Sequence, residues 1–268
     1  MNPTIAYVMD RLRPEYTERE ARELAYCIVG YLTGLSTTEL LLRQSPIEIH
    51  GIEGLLNRLL QHMPVEYLIG HGEWMGLTLR LDATTLIPRP ETAELVEWIL
   101  HDEAHTPQRV LDIGTGSGCI AIALKRGCPQ WEVEGLDESQ SAIYKATDNA
   151  KMNGQEIAFF VHDILKPWKR EYDMVVSNPP YIPVSERETL DKNIRFEPMG
   201  ALFVPDEDPL VFYRSIARQR LAPTLYFEIN ERFGQAMVEM MQTEGYTDIE
   251  LRQDQYGKDR MLRARIAK

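Results

Sequence analysis

From residue 92 to its end, the chain alternates short apolar runs with longer amphipathic stretches, and few folds accommodate that rhythm. The runs predict strands near 109–113, 131–136, 157–162, 172–177 and 224–229, with two more near 247–252 and 260–266. The amphipathic stretches predict helices near 92–101, 118–126, 139–152, 208–219 and 233–243. A strand, a helix and a second strand return the chain parallel to itself through a right-handed crossover. Repeated, the unit gives a mostly parallel sheet covered on both faces. Such sheets bind ligands beyond the carboxyl ends of their strands. The residues that follow each apolar run are therefore the ones to read for chemistry.

Residues 1–72 obey a different period. Thr17-Glu18-Arg19-Glu20 is a capping box, in which a hydroxyl and a carboxylate satisfy free N–H groups at a helix start. Leu24, Ile28, Tyr31 and Leu32 then recur at helical spacing. Ser36 opens another helix, and Ile52, Leu55, Leu56, Leu59 and Leu60 mark a further one. Short helices with apolar stripes form a small bundle. Periodicity alone leaves it open as a partner-binding module or a structural cap. Between Glu73 and Leu81, at the start of a linker over 73–90, the pattern switches to period two, with Trp74, Leu77, Leu79 and Leu81 separated by polar or small residues and Met75-Gly76 near a turn. This predicts a β-hairpin linker ahead of an α/β domain over 91–268.

Composition narrows the partners. The net charge is −12, which argues against nucleic acid as a direct partner, because phosphate contacts dominate that affinity. Lys166, Lys169 and Arg170 form only a short basic group, read as a solvated turn. No apolar stretch reaches the length of a membrane span. Met1 to Tyr16, interrupted by Asp10, Arg11 and Arg13, does not read as a signal peptide. Cys27, Cys119 and Cys128 show no metal spacing. They are expected to be buried small hydrophobes in a reducing cytoplasm, with no metal site.

The first strand of the alternating region ends in Val110-Leu111-Asp112-Ile113, and Gly114-Thr115-Gly116-Ser117-Gly118 follows. Glycines at such a turn let backbone approach a ligand at a helix N-terminus. Alone, they would equally mark a tight packing turn. The next strand ends at Asp137, about 20 residues on, where a carboxylate can accept both hydroxyls of a ribose. Asp137 could instead cap the following helix, but Ser139 stands ready for that role. The spacing is not that of a dinucleotide binder, and S-adenosylmethionine fits better, with Asp112 available to its ammonium group. The third strand ends at His162-Asp163-Ile164, where Asp163 could take the adenine amino group and Ile164 pack on the ring.

After the fourth run, Asp173-Met174-Val175-Val176-Ser177, comes Asn178-Pro179-Pro180-Tyr181. Two prolines fix two φ angles and remove two donors, and a residue before proline is pushed out of the α region. The Asn178 side-chain oxygen and the Pro179 carbonyl can then converge as paired acceptors. Two acceptors suit the two N–H groups of a planar NH2, and Tyr181 could pack on that plane. A rigid turn ending a strand is the plainer reading, and it loses ground beside a cofactor-type loop.

Taken together these residues resemble the PrmC/HemK family of methyltransferases, which modify a glutamine of peptide-chain release factors. The likeness spans most of the chain. It includes Pro64-Val65-Glu66-Tyr67-Leu68-Ile69-Gly70, Leu86-Ile87-Pro88-Arg89-Pro90-Glu91-Thr92, the glycine loop, the Asn-Pro-Pro-Tyr tetrapeptide and Arg195-Phe196-Glu197-Pro198. Many amino-group methyltransferases share the tetrapeptide, including those acting on adenine, so an adenine N-methyltransferase is the alternative, for which a basic face would be expected. The Ile87 to Thr92 run is far more specific. The resemblance implies a Rossmann-like methyltransferase domain on a mostly parallel seven-stranded sheet, preceded by a helical substrate-recognition domain. It implies S-adenosylmethionine at Gly114, Thr115, Gly116, Ser117, Gly118, Asp137, Ile164 and Asn178, with S-adenosylhomocysteine as product. It places the glutamine of a class-1 release factor's Gly-Gly-Gln motif against Asn178, Pro179, Pro180 and Tyr181, with Asn178, Pro179 and Tyr181 catalytic. A cytoplasmic monomer is expected. The chain departs from the family pattern at Ile164, often an aromatic, at Asn230, commonly a glycine, at Ala222-Pro223-Thr224, where Gly-Gly is usual, and at Phe203 to Asp208, which replaces glycines.

Overall fold

A computed structural model describes residues 1–266; the last two positions of the expected 91–268 domain lie outside the described residues. The chain forms two compact units, Met1–His71 with Lys192–Phe196, and Gly72–Asp191 with Glu197 onward.

The first unit holds five helices: α1 (Pro3–Leu12), α2 (Glu18–Thr33), α3 (Thr37–Leu42), α4 (Ile52–Leu59) and α5 (Val65–Ile69). A capping box opens α2 at Thr17, as the sequence predicts, and the helix start expected at Ser36 is a second capping box, on α3. Helix α1 was hidden by its charges. Ile5, Val8, Met9 and Leu12 are buried at helical spacing while Asp10 and Arg13 face water. Asn2 starts it by accepting the Thr4 N–H at 2.9 Å. Lys192–Phe196 joins this unit from far along the chain. Arg195 donates to the Gln61 carbonyl at 2.6 Å, and Lys192 Nζ reaches Glu15 at 3.3 Å. So short and polar a segment carries no periodicity by which to assign it.

The second unit begins with a hairpin, β1 (His71–Trp74) and β2 (Leu77–Arg80). Its turn residues Met75 and Gly76 both have positive φ, as a type I′ turn requires. There follow α6 (Pro90–Glu103), β3 (Arg109–Ile113), α7 (Cys119–Gly127), β4 (Glu132–Asp137), α8 (Gln140–Met152), β5 (Ala158–Val161) and β6 (Met174–Ser177). Then come the two-residue strands β7 (Ile182–Pro183) and β8 (Phe203–Val204), α9 (Val211–Gln219), β9 (Thr224–Glu228), α10 (Gly234–Thr243), β10 (Asp248–Gln253) and β11 (Asp259–Arg265). All seven expected strands enter one sheet, ordered β10-β11-β9-β6-β3-β4-β5. Strands β3, β4, β5, β6 and β9 run parallel, and β11 and β10 are antiparallel. The sequence did not show β7 and β8, which pair in parallel around a run of short 3-10 segments.

The order reverses at β3. The chain moves outward through β4 and β5, then returns to place β6 on the other side of β3. Ile113 pairs with Leu136 of β4 and with Ser177 of β6, and Asp137 pairs with Val161 of β5. This register brings the residues after Ile113, Leu136, Val161 and Ser177 to one edge. Ser177 Oγ donates to the Ile113 carbonyl at 2.6 Å, fixing two of those ends together.

Fully buried Asn149 of α8 ties the hairpin to this edge. Its Oδ1 accepts the Arg80 N–H at 2.7 Å, and its Nδ2 donates to the carbonyls of Arg80 at 3.1 Å and Ser117 at 2.9 Å. Asn149→Ala removes the partner of three backbone groups, one buried and two part-buried, and urea unfolding should show a loss of about 2–4 kcal/mol.

Candidate functional site

Beyond the carboxyl ends of β3, β4, β5 and β6 lies a cavity holding about 900 Å³ of empty space, part of it open to solvent. Gly114, Gly116, Asp137, Ile164, Asn178, Pro179 and Pro180 all line it. Thr84, Thr85 and Leu86, His162 and Asp163, Pro198, Gly200 and Ala201, and Phe212 complete the wall.

The glycine loop follows from its φ angles. Gly114, Gly116 and Gly118 all have positive φ, a conformation that side chains resist. A Cβ on Gly114 would meet nothing within 4 Å, so backbone faces open space there. At Gly118 a Cβ would lie 3.1 Å from Ala146 of α8, so this glycine serves packing. Thr115, Ser117 and Gly118 are absent from the cavity wall. Thr115 and Ser117 are buried, and Thr115 Oγ1 donates to Asp112 at 2.6 Å.

Asp137 stands at the end of β4 with both carboxylate oxygens anchored. Oδ2 accepts the Gly116 N–H at 3.0 Å, and Oδ1 accepts the Ser139 N–H at 2.9 Å. Ser139 caps α8 by accepting the Ala142 N–H at 3.3 Å. Asp137 is thus spared the cap, and each oxygen keeps a lone pair for a ligand hydroxyl. Burial raises its pKa above the ordinary carboxylate value, and the two N–H groups oppose that.

Asp112 is fully buried beneath the loop. Its Oδ2 accepts Thr115 Oγ1 and the Ala121 N–H at 3.3 Å, while its Oδ1 has no hydrogen-bond partner among the described residues. Burial pushes its pKa to about 7. A bound ammonium group is the kind of ligand that would satisfy that oxygen. Asp163 on the cavity wall is partly committed, accepting the Leu165 N–H at 2.9 Å with Lys166 Nζ 3.3 Å away.

The tetrapeptide is braced from behind. Asn178 Nδ2 lies 3.2 Å from Thr92 Oγ1, and the Thr92 hydroxyl donates to Glu228 Oε2 at 2.6 Å. The Tyr181 hydroxyl donates to Glu228 Oε1 at 3.0 Å, and the Tyr181 carbonyl accepts Asn230 Nδ2 at 3.2 Å. Burial beside Glu228 raises the Tyr181 phenol pKa far above its ordinary value. Tyr181 packs against the core of the unit and is absent from the cavity wall, in contrast to the expected packing on a ligand plane. The Pro179 carbonyl takes part in no hydrogen bond with the described residues. The two motifs flanking the cavity also meet. Arg89 pairs with Glu197, whose Oε2 accepts the Ile87 N–H at 3.3 Å. This fixes Pro198 to Ala201 beside Leu86.

Sequence reasoning missed Thr92 as a brace and Glu228 altogether. Thr92 lay within the quoted Ile87 to Thr92 run. Glu228 carried one readable sign, an acid closing an apolar strand. Among the described residues, no group of three or more His, Cys, Asp or Glu side chains is placed to hold a metal ion.

Residues 92–195 match the methyltransferase small domain family, and residues 4–70 match the PrmC N-terminal domain. The chain is 38% identical to the release factor glutamine methyltransferase of Bacteroides thetaiotaomicron, over 98% of this chain and 99% of that protein. It is 37% identical to the protein of that name from Flavobacterium psychrophilum, over 92% and 93% of the two chains. Among solved structures, the hMettl16 catalytic domain in complex with a MAT2A 3'UTR hairpin superposes with a TM-score of 0.59 at 16% identity, over 72% of this chain and 77% of that one. The human methyltransferase 10 domain containing protein gives 0.53 at 18%, over 71% and 90%. These two likenesses establish the fold.

Asp112 makes a pH prediction. Its pKa is about 7 folded against the ordinary 3.8. Between those values the folded state holds the extra proton, so this group's contribution to stability falls as pH rises through that window. Asp112→Asn cannot ionise. The difference in thermal midpoint between variant and parent should move in the variant's favour as pH rises from about 5 to about 8. A pH-independent difference would contradict the assignment.

Proposed function

The chain belongs to the release factor glutamine methyltransferase family, and we propose that the braced tetrapeptide holds the glutamine of a release factor's Gly-Gly-Gln motif for methylation at its side-chain nitrogen. The enzyme is an S-adenosylmethionine-dependent methyltransferase. When bound, that cofactor supplies an electrophilic methyl group on an activated leaving group, and S-adenosylhomocysteine is its product. The cavity fits it. The open backbone at Gly114 and Gly116, the anchored carboxylate of Asp137 and the Ile164 side chain line it and suit a nucleoside; the unpartnered Asp112 Oδ1 is off the wall, buried beneath the loop, and would act on an ammonium group from there.

An amide nitrogen is a poor nucleophile, because its lone pair is delocalised into the carbonyl. The residues therefore act chiefly by position. Asn178 Oδ1 and the Pro179 carbonyl each accept one N–H of the glutamine amide. They hold its plane and aim its nitrogen into the cavity, where orientation can contribute roughly 7–11 kcal/mol. The proton lost from nitrogen passes to the acceptor it already faces, Asn178 Oδ1 or the Pro179 carbonyl, and from there to water. Tyr181 holds the clamp through Glu228 rather than by touching the amide. The observation that carries the reading is Asn178, with its NH2 committed to Thr92 and its oxygen left for a donor.

The helical unit is assigned to docking of the release factor, on the strength of its match to the PrmC N-terminal domain. The enzyme is read as a monomer that acts in the cytoplasm without binding nucleic acid directly. The net charge of −12 and three cysteines without disulfides support this. Among the described residues no helix is long and apolar enough to cross a membrane.

Methyl-labelled cofactor should label a release factor, and should not label the same factor with its motif glutamine replaced. Label on DNA or RNA instead, or undiminished label on the altered factor, would overturn the reading. Asn178→Ala should lower kcat/KM for the factor by about 100-fold or more, with its unfolding midpoint near that of the parent.

A further inference from the structure

An asparagine amide carries oxygen on one arm and NH2 on the other, and its shape does not say which faces a ligand. For a clamp that must accept two N–H groups the choice is decisive, because an inward NH2 would repel the substrate's own. The groups behind Asn178 make that choice. Glu228, the last residue of β9, is buried. It receives the hydroxyls of Thr92 at 2.6 Å and Tyr181 at 3.0 Å, one on each oxygen. A carboxylate only accepts, so Thr92 must donate to it. A hydroxyl has one proton, and with that committed Thr92 Oγ1 is left to accept from Asn178, 3.2 Å away. The Asn178 oxygen is thereby turned away from Thr92.

We propose that Glu228 is a positioning residue which, through Thr92, fixes the polarity of the Asn178 amide and so decides whether the clamp accepts an NH2 group. This rests on the reading of the site as a glutamine methyltransferase. Residues 136 positions apart in sequence thus set the direction of one amide.

Protonation reverses the chain. A carboxylic acid can donate to Thr92 Oγ1, whose proton then turns toward Asn178. The amide must answer with its oxygen and present NH2 to the cavity. The groups facing Glu228 are Thr92 and Glu91 on α6, Cys119 on α7, Tyr181 after β6, Tyr213 on α9 and Arg260 on β11. Tyr213 also donates to the Glu228 carbonyl at 3.0 Å. Burial raises the Glu228 pKa, Thr92, Tyr181 and Arg260 oppose it, and the net direction is upward. The polarity switch therefore falls above the ordinary carboxylate range, and activity is lost on its acid side.

The test compares Thr92→Val, Thr92→Ser and Glu228→Gln with the parent. It reads kcat/KM for a release factor across pH, together with S-adenosylhomocysteine affinity. Thr92→Val keeps the shape but cuts the relay, and should lower kcat/KM by up to about 100-fold with cofactor affinity unchanged. Thr92→Ser keeps the hydroxyl and should restore activity. The parent should show an acid limb that the residual activities of Thr92→Val and Glu228→Gln lack. Parent-like activity and a parent-like acid limb in Thr92→Val would overturn the proposal, while methylation of the factor by the parent in the same assay would leave the assigned function standing. If the parent fails to methylate the factor, both fall. If Glu228→Gln does not fold, the two Thr92 variants decide alone.

Discussion

The parallel register around β3 is the constraint on which the site depends. Ile113 is paired on both sides, with Leu136 and with Ser177, so β3 cannot slip without unpairing both neighbours. In a parallel sheet a one-residue slip also reverses every side chain. Val175 and Leu225 would then leave a core in which both are fully buried. Apolar packing in the sheet thus fixes, at its edge, where Gly114, Asp137 and Asn178 stand relative to one another. Phe227 pairs with Ser177 in the same way, which sets Glu228 alongside Asn178. The chemistry inherits its precision from burial elsewhere.

Three carboxylates share that edge, and their differing surroundings suit them to different work. Asp112 is buried with one oxygen unpartnered, and its pKa is raised to about 7. Asp137 is anchored by two backbone N–H groups at the cavity wall, ready to accept from a ligand. Glu228 is buried behind the wall with both oxygens occupied by hydroxyls. Desolvation raises all three pKa values, and the number of donors limits how far. A buried carboxylate with a hydroxyl held on each oxygen is a rigid acceptor, which is why Glu228 can orient others without touching a substrate.

Much of this was legible in the sequence. Runs such as Met174-Val175-Val176-Ser177 announce buried strands because both faces of a parallel sheet are covered. Thr17 and Ser36 announce helix starts through local hydrogen bonds that involve only near neighbours. The residues lining the cavity at Gly114, Asp137, Ile164 and Asn178 were legible because each ends or follows a strand. What was not legible depends on distant partners. Helix α1 hides behind Asp10, Arg11 and Arg13. Lys192–Phe196 joins the helical unit through side chains, without a pattern of its own. Thr115, Ser117 and Gly118 look alike in a glycine loop, yet they turn inward because Asp112, Asn149 and Ala146 are waiting there. Asn230 shows nothing of its role in the sequence, yet it holds the Tyr181 carbonyl and accepts the Arg232 N–H.

The central claim is geometric, that a glutamine amide is held by two acceptors at the end of β6. A crystal structure with S-adenosylhomocysteine and a peptide carrying the release factor's glutamine motif tests it most directly. The glutamine nitrogen should lie within about 3 Å of both Asn178 Oδ1 and the Pro179 carbonyl, with Asn178 Nδ2 still on Thr92. A glutamine bound through its own carbonyl to Asn178 Nδ2, with its nitrogen turned away from the cavity, would contradict it.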